Sequence, residues 1–108
     1  QGFAMVPTGV KAYMQADEVL LLYIRSSMAV KRQLMLMNGV AVIDADYYGN
    51  ADNEGHIIVP LYNYGREPVS IAAGERIAQG IFTRYLAADG DMAGCGRARS
   101  GGFGSTGA

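Results

Sequence analysis

Asp44 and Asp46 lie two residues apart near the end of NGVAVIDADYYG, residues 38–49, and Tyr47 and Tyr48 follow directly. Two carboxylates and two tyrosines gathered at the end of an apolar segment suggest a catalytic edge on a β scaffold, where a carboxylate can serve as an acid or base. Side chains alternate faces along a strand. Asp44 and Asp46 therefore share one face, Ile43 and Ala45 share the other, and Tyr47 joins the second face if the strand continues. The same pattern also fits a solvated strand end leading into a Tyr48-Gly49-Asn50 turn, and spacing alone leaves both readings open.

The elements around this segment must hold it still. Asn38-Gly39 is a strong turn signal because both residues tolerate positive φ, so Leu34–Met37 and Val40–Ile43 are expected to pair as a hairpin. Short apolar runs rich in Val, Ile and Tyr, broken by turn residues, point to an all-β domain. Strands are predicted at Phe3–Val6, Val10–Met14, Val19–Ile24, His56–Tyr62, Pro68–Ile71 and Ile77–Tyr85, with Val19–Ile24 buried on both faces and a turn at Ala73-Gly74-Glu75. At most one short helix is expected. Met28–Gln33 can form it, with Ser26 or Ser27 as N-cap and Lys31-Arg32 near its C-terminal end.

The chain has 108 residues, half of them apolar, which suits one domain with a modest core. Ten acidic against nine basic residues give a net charge of −1, with no basic run suited to a polyanionic backbone. Long nucleic acid is thus an unfavourable partner, although a few placed arginines can still hold a small phosphate ligand. The single cysteine, Cys95, cannot form an internal disulfide, which suggests a reducing, cytoplasmic setting. No segment has the length of a membrane span or the pattern of a signal peptide. With one histidine, His56, and one cysteine, zinc binding and Cys-His catalysis are disfavoured.

Residues 1–86 are read as the β domain and 87–108 as a Gly-rich arm that is mobile when free, with Phe103 its large aromatic and Arg97 and Arg99 its cations. Gly102–Gly107 satisfies G-x-G-x-x-G on paper, but only Ala108 follows it, so no helix completes a dinucleotide site.

Taken together, RSS at 25–27, NGVAVIDADYYG at 38–49, AGERIAQGIF at 73–82 and RSGGFGSTG at 99–107 resemble the trimeric dUTP pyrophosphatases, in the family's order. The resemblance implies a distorted β jelly roll, a homotrimer with shared sites, and Mg²⁺-dependent hydrolysis of dUTP to dUMP and pyrophosphate. Asp44 matches the base that activates water, and Asp46 a supporting position beside it. Tyr47 matches the ring that packs under deoxyribose and excludes a 2′-hydroxyl; taken alone, it also suits a core. Asn38 and the backbone at Ala41 and Ile58 match the uracil-reading hairpin. Arg25, Ser26 and Ser27 match the phosphate motif, with Ser27 where many relatives have glycine. Gln79 matches a glutamine that holds phosphates or the water. Arg99 matches the arginine on the γ-phosphate, with Arg97 as its competitor, and Phe103 the ring that stacks on uracil; Gly104, Ser105 and Thr106 complete that arm. Mg²⁺ is expected on substrate phosphates and water, without direct protein ligands.

The family's opening motif, of the type AGYDL, has no match before Arg25, and its aspartate is the one that holds a water on the metal. Two other readings accompany the resemblance. One is a dCTP deaminase of the same fold, and the other a non-catalytic nucleotide-sensing protein. The Asn50–His56 loop has no assigned role.

Overall fold

The computed structural model describes residues 2–86. Strands β1 (Phe3–Pro7), β2 (Glu18–Ile24), β3 (Leu34–Leu36), β4 (Ala41–Asp44), β5 (Ile58–Asn63) and β6 (Ala78–Arg84) form two antiparallel sheets. Their orders are β1-β5-β3 and β4-β2-β6. One core joins them: Leu34, Leu36, Val59 and Leu61 come from the first sheet, Leu20 from the second, and Met14, Met28, Tyr47 and Ile57 from the connections. Leu36 and Val59 are 1% and 2% exposed. Burying a side chain of that size contributes about 1.5–3 kcal/mol, so alternate residues of these short strands hold the sandwich closed. The expected all-β architecture is the one observed.

The expected hairpin is not. Gly39 has φ +73° and its amide bonds the Leu36 carbonyl at 3.0 Å, so the turn is present. β3 pairs with β5, however, and β4 with β2, so the turn carries the chain from one sheet to the other. The local signal specified a reversal but not a partner, and the longer strands β2 and β5 bind the two arms separately. β2 is also less enclosed than its apolar run suggested: Val19 and Leu20 are buried, whereas residues 21–24 are half-buried.

Two predicted strands are irregular loops. After Val10, whose carbonyl accepts the Ile57 amide at 2.9 Å, the chain leaves β5, and Tyr13 turns to solvent. Near Pro68, the Ser70 carbonyl is taken by the Arg32 guanidinium instead of by a strand, while Val69 and Ile71 still pack on the core. The short helix, expected over Met28–Gln33, is a π-helical turn over Ser27–Lys31 with Lys31 in its last turn; Ser26 holds the N-cap position, but its own backbone is helical and its side chain makes no capping hydrogen bond. Gly74 has φ +83° in the expected turn before β6. None of the helices among the described residues is long and apolar enough to cross a membrane.

Candidate active site

Asp44 is the last residue of β4, half-buried, and opposite Val19 of β2. Ala41 is buried and Ile43 packs on the core, so Val42 and Asp44 occupy the outer face of the sheet. Val42 is 60% exposed there, which leaves a carboxylate at the edge of an apolar surface. Strand alternation stops at this point. Ala45–Tyr47 form a 3-10 turn, so Asp46 does not continue Asp44's row on a strand, and Tyr47 swings inward to the core. The carboxylate pair is thus split by geometry between a strand end and a turn.

Tyr47 is only 8% exposed, and its hydroxyl donates to the His56 carbonyl at 2.7 Å. Its ring is a core aromatic that presents a narrow part to solvent. Behind it, residues 50–55 fold back on residues 47–49: the Asn50 amide bonds the Tyr47 carbonyl at 3.3 Å and the Gly49 amide bonds the Glu54 carbonyl at 3.0 Å. Gly55 completes the fold with φ +93°, where an added Cβ would lie 2.9 Å from Tyr48 Cα and 3.1 Å from the Tyr47 carbonyl oxygen. Gly55→Ala combines positive-φ strain with a backbone clash, and we expect a loss of about 2–4 kcal/mol, read as a lower thermal unfolding midpoint. His56 serves the fold too, since its Nε2 accepts the Gly9 amide at 3.0 Å.

Arg25, Ser26, Ser27 and Gln79 gather at the other end of the second sheet. Arg25 follows β2, its amide bonds the Ile77 carbonyl at 3.2 Å, and its carbonyl accepts the Met28 and Ala29 amides, each at 3.0 Å. This turn leaves Ser26 and Ser27 exposed. Gln79 of β6 is opposite Tyr23, two residues before Arg25. Asn38 is exposed in the sheet-switching turn, Ala41 pairs with Leu22, and Ile58 opens β5 opposite Pro7. The register measures the separation of the two groups. Six residue steps divide Val19, beside Asp44, from Arg25, about 20 Å of extended strand. Within one chain, the fold therefore unites Arg25, Ser26, Ser27 and Gln79 but keeps them away from Asp44.

Two clefts can be described, of about 600 and 340 Å³. The larger is lined by Leu20, Leu22, Ile57, Val59, Ile77 and Phe82 among others, and neither contains a predicted site residue. Among the described residues, His, Cys, Asp and Glu side chains do not assemble in threes to hold a metal ion. Arg99, Phe103, Gly104, Ser105 and Thr106, like Arg97 and Cys95, lie outside the described residues.

The dUTPase family model matches residues 1–107. The chain is a member of the dUTPase family. It is 55% identical over 104 residues to the deoxyuridine 5'-triphosphate nucleotidohydrolase of Lactococcus lactis subsp. lactis (strain IL1403), a match that covers 96% of this chain and 69% of that protein. The deoxyuridine 5'-triphosphate nucleotidohydrolase of Desulfitobacterium hafniense (strain DSM 10664 / DCB-2) is 40% identical over 109 residues, with 94% and 66% covered. A crystal structure of dUTPase from Streptococcus mutans superposes with a TM-score of 0.78 at 52% identity, covering 82% of this chain and 69% of the other. The chain thus spans about two thirds of the length of these relatives, and the two antiparallel sheets are the β jelly roll of a dUTPase. Sequence reasoning overlooked Asn50, Asn53 and Gly55 behind Tyr47. Asn-x-x-Asn-x-Gly after a turn was the available signal, since Asn side chains cap turns and glycine accepts positive φ.

Proposed function

We propose that this dUTPase-family chain hydrolyses dUTP to dUMP and pyrophosphate, acting as a homotrimer with Mg²⁺. Family membership over nearly the whole chain carries the reading, together with a carboxylate at the end of β4 in the sequence IDADYYG. In this reaction Asp44 accepts a proton from water as the water oxygen bonds to the α-phosphorus, and the bond to the bridging oxygen breaks, so pyrophosphate leaves. Arg25, Ser26 and Gln79 bind phosphate oxygens, and Ser27 shapes the same turn. Asn38 and the backbone at Ala41 and Ile58 read uracil, and Tyr47 forms the wall beneath deoxyribose. Removing dUTP limits uracil incorporation into DNA and supplies dUMP for dTMP synthesis. A cytoplasmic setting agrees with the single cysteine.

Two observations support shared sites. Asp44 and the Arg25 cluster lie toward opposite ends of β2 in one chain, about 20 Å of strand apart, and the outer face between them exposes Val42 and Ile81. Burying that apolar surface against another subunit would bring one copy's Asp44 to another's Arg25. Mg²⁺ would be held by oxygens of the triphosphate and by water rather than by protein side chains, and would supply neutralisation of phosphate charge there. Arg99 and Phe103, with Gly104, Ser105 and Thr106, contribute contacts to phosphate and base. Deleting residues 99–108 should lower turnover by more than about tenfold while the thermal midpoint stays within a few degrees. Equal losses of turnover and stability would speak against a substrate-binding role.

Product analysis tests the whole reading. dUTP should yield dUMP and pyrophosphate in equal amounts. Ammonia release from dCTP would overturn it in favour of the deaminase, which the relatives' names do not favour. Tight binding of a non-hydrolysable dUTP analogue without dUTP turnover would indicate a sensing protein.

A further inference from the structure

One polar cluster lies behind Tyr47, outside the residues expected to touch nucleotide. Asn50 is 5% exposed, and its Nδ2 donates to the Tyr47 carbonyl and to Asn53 Oδ1, both at 2.7 Å. Its Oδ1 accepts the Asp52 and Asn53 amides, each at 3.0 Å. Asn53 Oδ1 also accepts the Gly55 amide at 3.1 Å, so the orientation of this side-chain amide is dictated by two donors on one side. On the other side, Asn53 Nδ2 donates to the Tyr47 hydroxyl at 2.9 Å, and that hydroxyl gives its own proton to the His56 carbonyl. One loop therefore holds Tyr47 at both ends, by its carbonyl and by the tip of its ring.

We propose that Asn53 is a positioning residue that sets the discrimination between 2′-deoxyribose and ribose by immobilising the Tyr47 ring. The inference rests on Tyr47 being the wall beneath the sugar. Excluding a single hydroxyl requires a wall that does not yield, because a shift of a few tenths of an ångström would relieve the clash. Core packing restrains the body of the ring, but its outer tip depends on polar bonds. With Asn53 donating and His56 accepting, both roles of the hydroxyl are fixed and the ring resists tilting. A residue that merely closed the loop would affect deoxy and ribo substrates alike.

The test measures kcat and KM of the full-length protein for dUTP and UTP. Asn53→Asp retains the oxygen that holds Gly55 and Asn50 but loses the donor to Tyr47, so the loop can still close. The ratio of kcat/KM for dUTP over UTP should fall roughly three- to tenfold, mainly through a lower KM for UTP. Tyr47→Phe should produce a similar fall, and the double variant little more, because both remove the same bond. An unchanged ratio in Asn53→Asp, with both substrates slowed in parallel, would overturn the proposal. Tyr47→Leu separates the two levels of inference. If it collapses the ratio while Asn53→Asp does not, only the positioning role fails. If it leaves the ratio intact, the sugar wall is elsewhere, and the reading beneath the proposal fails as well. A wild-type protein unable to turn over dUTP would remove both.

Discussion

Asp44→Asn should reduce dUTP turnover by about 10²- to 10⁴-fold, the usual contribution of a placed general base. Nucleotide affinity should change little. Asparagine has nearly the same shape, and the site ends an ordered strand whose backbone bonds to β2 do not involve the side chain. What disappears is the basic oxygen, since a neutral amide cannot accept a proton from water under these conditions. Pyrophosphate release gives the rate, and calorimetry with a non-hydrolysable dUTP analogue gives the affinity. Turnover near wild type would remove Asp44 from the chemistry, whatever the family pattern. A parallel loss of affinity and thermal stability would instead mark it as a residue that shapes the strand end.

The second large effect concerns two inactive proteins that become active together. Arg25→Ala should cost turnover through weaker hold on the phosphates, and Asp44→Asn through loss of the base. If each site draws Asp44 from one subunit and Arg25 from another, unfolding and refolding the two variants together should restore activity. In a random one-to-one mixture, about a quarter of the sites pair an intact Asp44 with an intact Arg25. Recovery should therefore approach about a quarter of the wild-type rate per subunit, against near zero for either variant alone. The basis is the register: Val19 lies near the start of β2 and Arg25 just beyond its end, about 20 Å apart, and β4 brings Asp44 beside Val19. No recovery, with trimers shown to form, would mean that both residues serve a site within one chain.

Much of the fold was legible in local chemistry. β1, β2, β5 and β6 follow apolar runs that end at turn residues, and the turns at Gly39 and Gly74, both at positive φ, fall where turns were expected. Val10–Met14 and Pro68–Ile71 have strand composition but no strand, because a strand needs a neighbour for its backbone groups, and composition says nothing about neighbours. Leu34–Met37 and Val40–Ile43 show the same limit more sharply. Their turn was read correctly, yet each arm found its partner elsewhere, Met35 opposite Tyr62 and Val42 opposite Leu21.

The candidate site divides along the same line. The resemblance carried by the motifs and their order named Asp44, Arg25, Gln79 and Tyr47 as candidates, whereas spacing alone left a solvated strand end, surface positions and a core ring equally open. Only the tertiary structure decided that Asp46 lies in a turn rather than in Asp44's row, that Tyr47 is a core ring clasped by Asn50 and Asn53, and that β2 holds Asp44 and Arg25 apart. The physical reason is that the chemistry of a residue is local, whereas its distance from another is set by strand pairing, and pairing is chosen by the packing of the whole core.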